Sequence, residues 1–219
     1  QTYLRSDAVV PNSENGFRKR LFDLLGVKYL LDKEDNPKTG ADWHYDRFQG
    51  DKVKGLAQHN NAQIYMREDA LPRVFTSNKY VVTGDDNEIL YNIYNPDFDL
   101  TTIILEQSPI LPIINPQEDI KVPEIKAYLP NKTVFKTNND SNTILFLSDV
   151  YSKDWKAYID DNETPLMRAD YAFRAVAVPK GEHIIKFEYM PSSFRYGLYL
   201  TLFSLFSTIL LSGWLIVKK

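Results

Sequence analysis

Histidines, paired acids and one aromatic-rich polar stretch are the residues of this sequence whose types could do chemistry. The three histidines are His44, His59 and His183. Two imidazoles aimed at one ion normally sit two to four residues apart, and no pair here has that spacing. Asp42 and Asp46 flank His44 and would add carboxylate ligands, but polar loops gather His and Asp for solvation alone. We therefore expect no metal, and no cofactor, held by these residues. Adjacent acids occur at Asp85–Asp86, Glu118–Asp119 and Asp160–Asp161. Cleaving a glycosidic bond needs two carboxyls about 5 Å or about 6.5–9.5 Å apart across a cleft. Neighbours in a strand point to opposite faces, so adjacency supplies no such pair. Asp85–Asp86 reads instead as a helix N-terminus and Asp160–Asp161 as a turn. The stretch "ADWHYDRF" (Ala41–Phe48) sets Trp43 and Tyr45 beside Arg47 and acids. Flat rings that stack on sugar C–H faces, flanked by charges that bond hydroxyls, make Trp43, Tyr45 and Arg47 candidate glycan contacts. The same rings suit a loop pinned to the body of the fold, which is the reading favoured here over glycan contact.

Other chemistries are excluded. No G-x-G-x-x-G, no phosphate-binding lysine loop and no G-x-S-x-G nucleophile elbow occurs in the chain. Cysteine is absent, which removes disulfides, thiolate metal ligands and cysteine nucleophiles. The net charge is -3, without the basic face that a nucleic acid needs. Apolar residues at 43% and charged residues at 25% are proportions that bury a real core.

The elements that must position these residues are mainly β. Phe17, Leu21, Leu24 and Leu25 form one apolar stripe, predicting a helix near 15–25 with Gly26 in the left-handed conformation after it. "VKYLL" (Val27–Leu31) reads as a strand, and Asp32–Asn61 as loop. Strands are expected at Gln63–Glu68, Arg73–Ser77, Lys79–Thr83 and Thr101–Glu106, with a helix over Asp85–Tyr94 opened by an Asp85/Glu88 capping box. Ser108–Pro123 is proline-spaced and linker-like. From there the pattern is wholly β. "NTILFLS" (Asn142–Ser148) has the continuous apolar run of a strand buried on both faces. In "WKAYI" Trp155, Ala157 and Ile159 share a face turned to the core. Ile185, Phe187 and Tyr189 alternate with Ile184, Lys186 and Glu188. Short strands joined by tight turns predict an antiparallel β-sandwich over 123–194, behind an α+β segment over 1–122.

The chain then changes character. Gly197–Val217 contains no charge, with Tyr196 and Tyr199 near one end and Trp214 near the other. About 20 apolar residues span about 30 Å of hydrocarbon, so a transmembrane helix is predicted over 196–217. A buried core helix of this length would carry a polar face. Lys218 and Lys219 beyond the span, against Arg195 before it, favour a cytoplasmic C-terminus and put the β region outside the cytoplasm. A large exported domain ahead of its anchor needs an earlier signal or span, so we expect this chain to be the tail of a longer polytopic protein.

Several stretches, in order, resemble the YfhO-like family of bacterial polytopic membrane proteins. They are Ser148–Asp149, Tyr151, Trp155–Lys156–Ala157, Asp160, Asp170–Val176, Pro179–His183 and Tyr189–Pro191. "LLGVKYLL" (Leu24–Leu31) and "ALPRVF" (Ala70–Phe75) are similar to two earlier landmarks. Two turns depart from the pattern: Lys153–Asp154 stands where the family has Pro-Gly, and Asp160–Asp161 where it has Asp-Gly. Altered turn geometry is expected at both. The resemblance implies a glycosyltransferase of the GT-C type in the bacterial cell membrane, moving a sugar from a lipid-linked donor to an envelope glycan such as teichoic acid. Its catalytic acid would lie in an early loop that this chain lacks, so no residue here takes a catalytic role, and any divalent metal would belong to that missing part. The partners implied are membrane lipid, lipid-linked sugar, envelope glycan and the parent's other membrane helices. A non-catalytic polysaccharide-binding or structural domain is the alternative.

Overall fold

The computed structural model describes residues 15–33, 53–59, 62–113 and 119–218. In chain order the elements are α1 (Asn15–Leu24), β1 (Tyr29–Lys33), β2 (Val53–His59), β3 (Ala62–Arg67), β4 (Val74–Ser77), β5 (Tyr80–Val82), α2 (Asp86–Tyr94) and β6 (Ile103–Leu105). There follow β7 (Glu124–Leu129), β8 (Lys132–Asn139), β9 (Thr143–Val150), β10 (Trp155–Ile159), β11 (Asn162–Thr164), β12 (Met167–Ala169), β13 (Phe173–Val178), β14 (Gly181–Tyr189) and α3 (Ser192–Val217). The chain is thus mainly β with a few helices. β2 lies inside the stretch read from sequence as loop, because its Gly, Gln and Lys hide any period-2 signal.

Two sheets carry the fold. A six-stranded sheet runs β4-β9-β13-β12-β6-β5 and a five-stranded sheet runs β11-β10-β14-β8-β7. The six-stranded sheet takes strands from both sides of residue 123. Its pairs are antiparallel except β5–β6, which are parallel with α2 as the crossover between them. A third sheet, β1-β3-β2, stands apart from these.

Strand parity builds the core. In β9, Leu145 and Leu147 face the five-stranded sheet, with Phe135, Ala157, Ile185 and Phe187 opposite. The alternate residues Ile144 and Phe146 face the other way, against Ile89 and Ile93 of α2 and Leu24 of α1. β13 divides likewise, Val176 and Val178 inward and Ala175 and Ala177 toward the helices. A strand covered on both faces needs apolar residues at every position, which is the continuous run seen in "NTILFLS". Each large side chain so buried contributes about 1.5–3 kcal/mol. Trp155, Ala157 and Ile159 face the core together as expected, with Ala157 fully buried at their centre.

Local chemistry sets the ends. α1 stops at Leu24, so Leu25 leaves the apolar stripe and is exposed. Gly26 follows with φ of 63°, and a Cβ there would lie 3.0 Å from the Cα of Arg73. The Arg20 guanidinium donates to the carbonyls of Ile93, Pro96 and Phe98, satisfying the C-terminal end of α2. Asp85 caps α2 by accepting from the Asn87 N–H. Glu88 does not close the expected box. It accepts instead from the Thr83 hydroxyl, which in turn accepts from the Asp85 N–H. Asp160 and Asp161 have φ of 48° and 64°, the doubly left-handed pair of a two-residue hairpin turn. They make the kind of turn that Asp-Gly favours, so the expected alteration there does not occur. At Lys153–Asp154 neither residue has positive φ, and the turn closes through Trp155 N–H to Ser152 C=O, 3.0 Å. A Pro-Gly pair favours a turn with Gly at positive φ, so this geometry does differ.

α3 follows β14 after only Met190 and Pro191 and stands away from the sheets. The apolar stretch Ser192–Trp214 has a mean hydropathy of 1.4 and is 0% buried against the rest of the chain. Its hydroxyls bond back to the helix, Thr201 to Gly197 C=O, Ser207 to Phe203 C=O and Thr208 to Ser204 C=O. This leaves them satisfied in a lipid environment.

Candidate functional site

The parity that fills the core continues to one end of it and there turns polar. Beyond Leu145 and Leu147 the next inward position of β9 is Asp149, and before Val178 and Val176 that of β13 is Arg174. Trp155 opens β10 on the face of Ala157, and Tyr128 pairs with the inward Thr133 across β7 and β8. All lie where the space between the sheets closes. Arg73, just ahead of β4, reaches in from the side.

Asp149 is the hub. One carboxylate oxygen accepts from Arg73 Nε at 3.0 Å and Nη2 at 2.7 Å. The other accepts from Arg174 Nη2 at 2.8 Å, and the Tyr128 hydroxyl lies 2.8 Å from both. The Arg174 side chain is 2% exposed, and its guanidinium carbon sits 3.9 Å from the centre of the Trp155 ring. Aromatic stacking plus a carboxylate is the environment in which a guanidinium tolerates burial. Tyr189 packs on Trp155 with ring centres 5.2 Å apart.

The electrostatics favour binding over acid–base work. Partial burial, then the hydrogen bond and charge of Asp149, push the Tyr128 hydroxyl up to about 12. Tyr128 therefore stays a donor at neutral pH. Burial lowers Arg174, against the opposing charge of Asp149, without bringing it near deprotonation. Asp149 is engaged by three side chains, which leaves no base next to a nucleophile. Beside the cluster lies a pocket of about 290 Å³ lined by Arg73, Tyr128, Leu129, Thr133, Asp149 and Trp155. A second, of about 490 Å³, shares the Trp155 wall and includes Tyr151, Lys153, Lys156, Glu163 and Leu166.

Of the residues singled out in the sequence, Asp85–Asp86, Asp160–Asp161 and His183 are described and lie outside this cluster. Trp43, Tyr45, Arg47 and His44 lie outside the described residues, as does Glu118. His183 belongs to a hairpin, its Nδ1 2.6 Å from Asp160 Oδ2 and its Nε2 3.2 Å from the Lys180 carbonyl oxygen. Among the described residues no three His, Cys, Asp or Glu side chains converge as metal ligands. The Asp149 cluster was missed because its members are far apart in sequence and none forms a spacing motif. The signal that finds it is a charged residue on the apolar parity of β9 and another on that of β13.

Residues 114–201 match the family model for the bacterial membrane protein YfhO. Over that stretch the chain is similar to YfhO. The match runs from before β7 into α3 and takes in Tyr128, Asp149, Trp155 and Arg174. Three of the YfhO-like landmarks, Ser148–Asp149, Trp155–Lys156–Ala157 and Asp170–Val176, therefore each deliver one residue to a single cluster. The family match and the apolar helix α3 together make the chain membrane-associated. No curated protein and no solved structure matches it.

Proposed function

We propose that this chain is the extracytoplasmic β domain and last membrane span of a YfhO-like glycosyltransferase of the GT-C type. That enzyme would move a sugar from a lipid-linked donor to an envelope glycan such as teichoic acid. The domain's part is non-catalytic: it presents a polar, aromatic-walled end to the reaction zone at the membrane surface. One observation carries this reading. Asp149, Trp155 and Arg174, from three separate landmark stretches, meet at the end of the sandwich from which α3 departs. A merely structural plug would not need a pocket opening beside it.

The decisive experiment removes the gene for the full protein and analyses wall polymer and lipoteichoic acid by mass spectrometry. Loss of one sugar substituent, restored by the wild-type gene, is the expected result; an unchanged substituent pattern overturns the glycosyltransferase reading. Sidedness is checked separately through Asp140→Cys, whose parent side chain is 81% exposed, in this cysteine-free chain. An impermeant maleimide should label it in intact cells, and labelling only after lysis would reverse the orientation.

A further inference from the structure

The Asp149 cluster lies at the root of the membrane helix. β14 ends at Tyr189, whose N–H donates to the Asn131 carbonyl in the β7–β8 turn, 2.9 Å. The next N–H, of Met190, donates to the Asp154 carbonyl in the β9–β10 turn, 2.8 Å. These two turns thus clasp the segment from which α3 starts. From Ser192 to the first charge-free turn at Gly197 the helix rises roughly 8 Å. A headgroup layer is about 5–8 Å deep on each face of the bilayer. The clasped end of the sandwich therefore sits at headgroup depth. Its exposed side chains suit that place: Leu129, Pro130, Val150 and Met190 are apolar, with Lys153 and Arg195 around them, while Lys132 is paired to Glu188 at 3.2 Å.

Within this end the charges do not balance. Two guanidiniums, Arg73 and Arg174, share the one carboxylate of Asp149. The Arg73 side chain is 56% exposed and engages Asp149 through Nε and Nη2, which turns Nη1 outward. Two buried polar atoms have no partner, Arg174 Nη1 and Thr133 Oγ1, and Thr133 lines the 290 Å³ pocket. A surplus positive charge, an unused guanidinium edge and an unpaired hydroxyl form a donor set for a tetrahedral oxyanion, while the Tyr128 hydroxyl, given to Asp149, holds that carboxylate in place. Trp155 and Leu129 provide apolar walls for the carbon chain attached to it.

We propose that the Arg73–Tyr128–Thr133 pocket binds the phosphate of an anionic membrane lipid, holding the sandwich down on the bilayer through a headgroup. The site depends on α3 entering the membrane and not on glycosyl transfer, so it stands or falls separately from that reading.

The test uses the full chain in uncharged detergent micelles, titrated with phosphatidylglycerol or phosphatidylcholine and followed by native mass spectrometry. The expected result is a one-to-one adduct with phosphatidylglycerol that phosphatidylcholine does not give. Arg73→Gln should weaken it about five-fold, the effect of one basic side chain at an anionic surface. Thr133→Val keeps the shape and should also weaken it, with thermal melting confirming that both variants remain folded. Equal retention of the two lipids, or unchanged phosphatidylglycerol binding in both folded variants, overturns the site. Displacement of the lipid by an equal concentration of free glycerol phosphate would overturn the lipid as its source.

Discussion

Asp149→Ala should be among the most destabilising single substitutions in the β domain, although its side chain is neither apolar nor fully buried. The carboxylate is 15% exposed and holds Arg174, which is 2% exposed. Truncation leaves that guanidinium with the Trp155 face at 3.9 Å, the Phe187 ring at 5.5 Å and its Nε contact to the Asp149 backbone carbonyl. Breaking a buried ion pair from one side costs about 3–5 kcal/mol, because the remaining charge is stranded. Arg73 adds little, since an exposed guanidinium recovers its hydration and such pairs are worth about 0–1 kcal/mol. Asp149→Asn keeps an acceptor but not the charge, and should cost about half as much. The controlling comparison is the pair Asp149→Leu with Arg174→Met. Replacing both partners by apolar groups removes the stranded charge, so the double variant should recover at least 2 kcal/mol relative to Asp149→Leu alone. Urea unfolding in detergent micelles, followed by near-ultraviolet circular dichroism, reads these differences. An Asp149→Ala variant within 1 kcal/mol of wild type, or a double variant no more stable than Asp149→Leu, would refute the hub.

Two further predictions concern pH. Burial raises the Asp170 carboxyl to about 7, against the lowering effect of the Ile104 N–H it accepts at 2.7 Å. Between about pH 4 and 7 the folded chain then binds a proton that the unfolded chain releases, so this residue's contribution falls as pH rises and stays low above 7. Asp170→Asn keeps the acceptor and suits φ of 44°; its melting temperature should match wild type near pH 4 and exceed it at pH 8, by an amount reflecting up to about 4 kcal/mol. At the other end of the sandwich His183 is partly buried, which lowers its pKa, but the bonds to Asp160 and the Lys180 carbonyl outweigh this and raise it. Asp160 is lowered in turn, by the Ile184 N–H and His183. The histidine's contribution is therefore complete below about pH 6.5 and lost as pH rises through its folded pKa, while the carboxylate's is lost in acid. His183→Ala should lower the melting temperature more at pH 6 than at pH 8.5, and an equal loss at both would show that the pair is not ionic.

What could be read beforehand was governed by periodicity. "NTILFLS" announced a strand covered twice because it has no polar position to give away. "WKAYI" announced its inward face through Trp155, Ala157 and Ile159, and Gly197–Val217 announced α3 through length alone. β2 was illegible because Lys54, Gly55 and Gln58 interrupt any alternation. The parallel β5–β6 pairing was hidden because three-residue strands do not record direction, and only the intervening α2 marks a crossover. The Asp149 cluster was illegible for another reason. Spacing motifs register only polar residues near one another in sequence, whereas the sheet brings together residues up to about a hundred positions apart, from Arg73 to Arg174.

The connection between β14 and α3 gives this cluster mechanical significance as well as chemical. There is no flexible linker: strand pairing continues to Tyr189, Pro191 lacks a donor, and the helix begins at Ser192. The N–H groups of Tyr189 and Met190 are fixed to the turns that carry Asn131 and Asp154. One of those turns leads into β8 beside Thr133; the other leads into Trp155, on which Arg174 is stacked. A tilt of α3 in the bilayer that is transmitted through this short joint would move both walls of the pocket relative to Asp149. Conversely, a ligand that draws Arg73 and Thr133 together favours one helix tilt over others, by no more than its difference in affinity for the two arrangements. Inserting two glycines after Met190 would break this tie while keeping every residue of the cluster. Lipid binding that survives the insertion, with the helix tilt no longer responding to it, is the behaviour expected of a site coupled to its anchor through backbone alone.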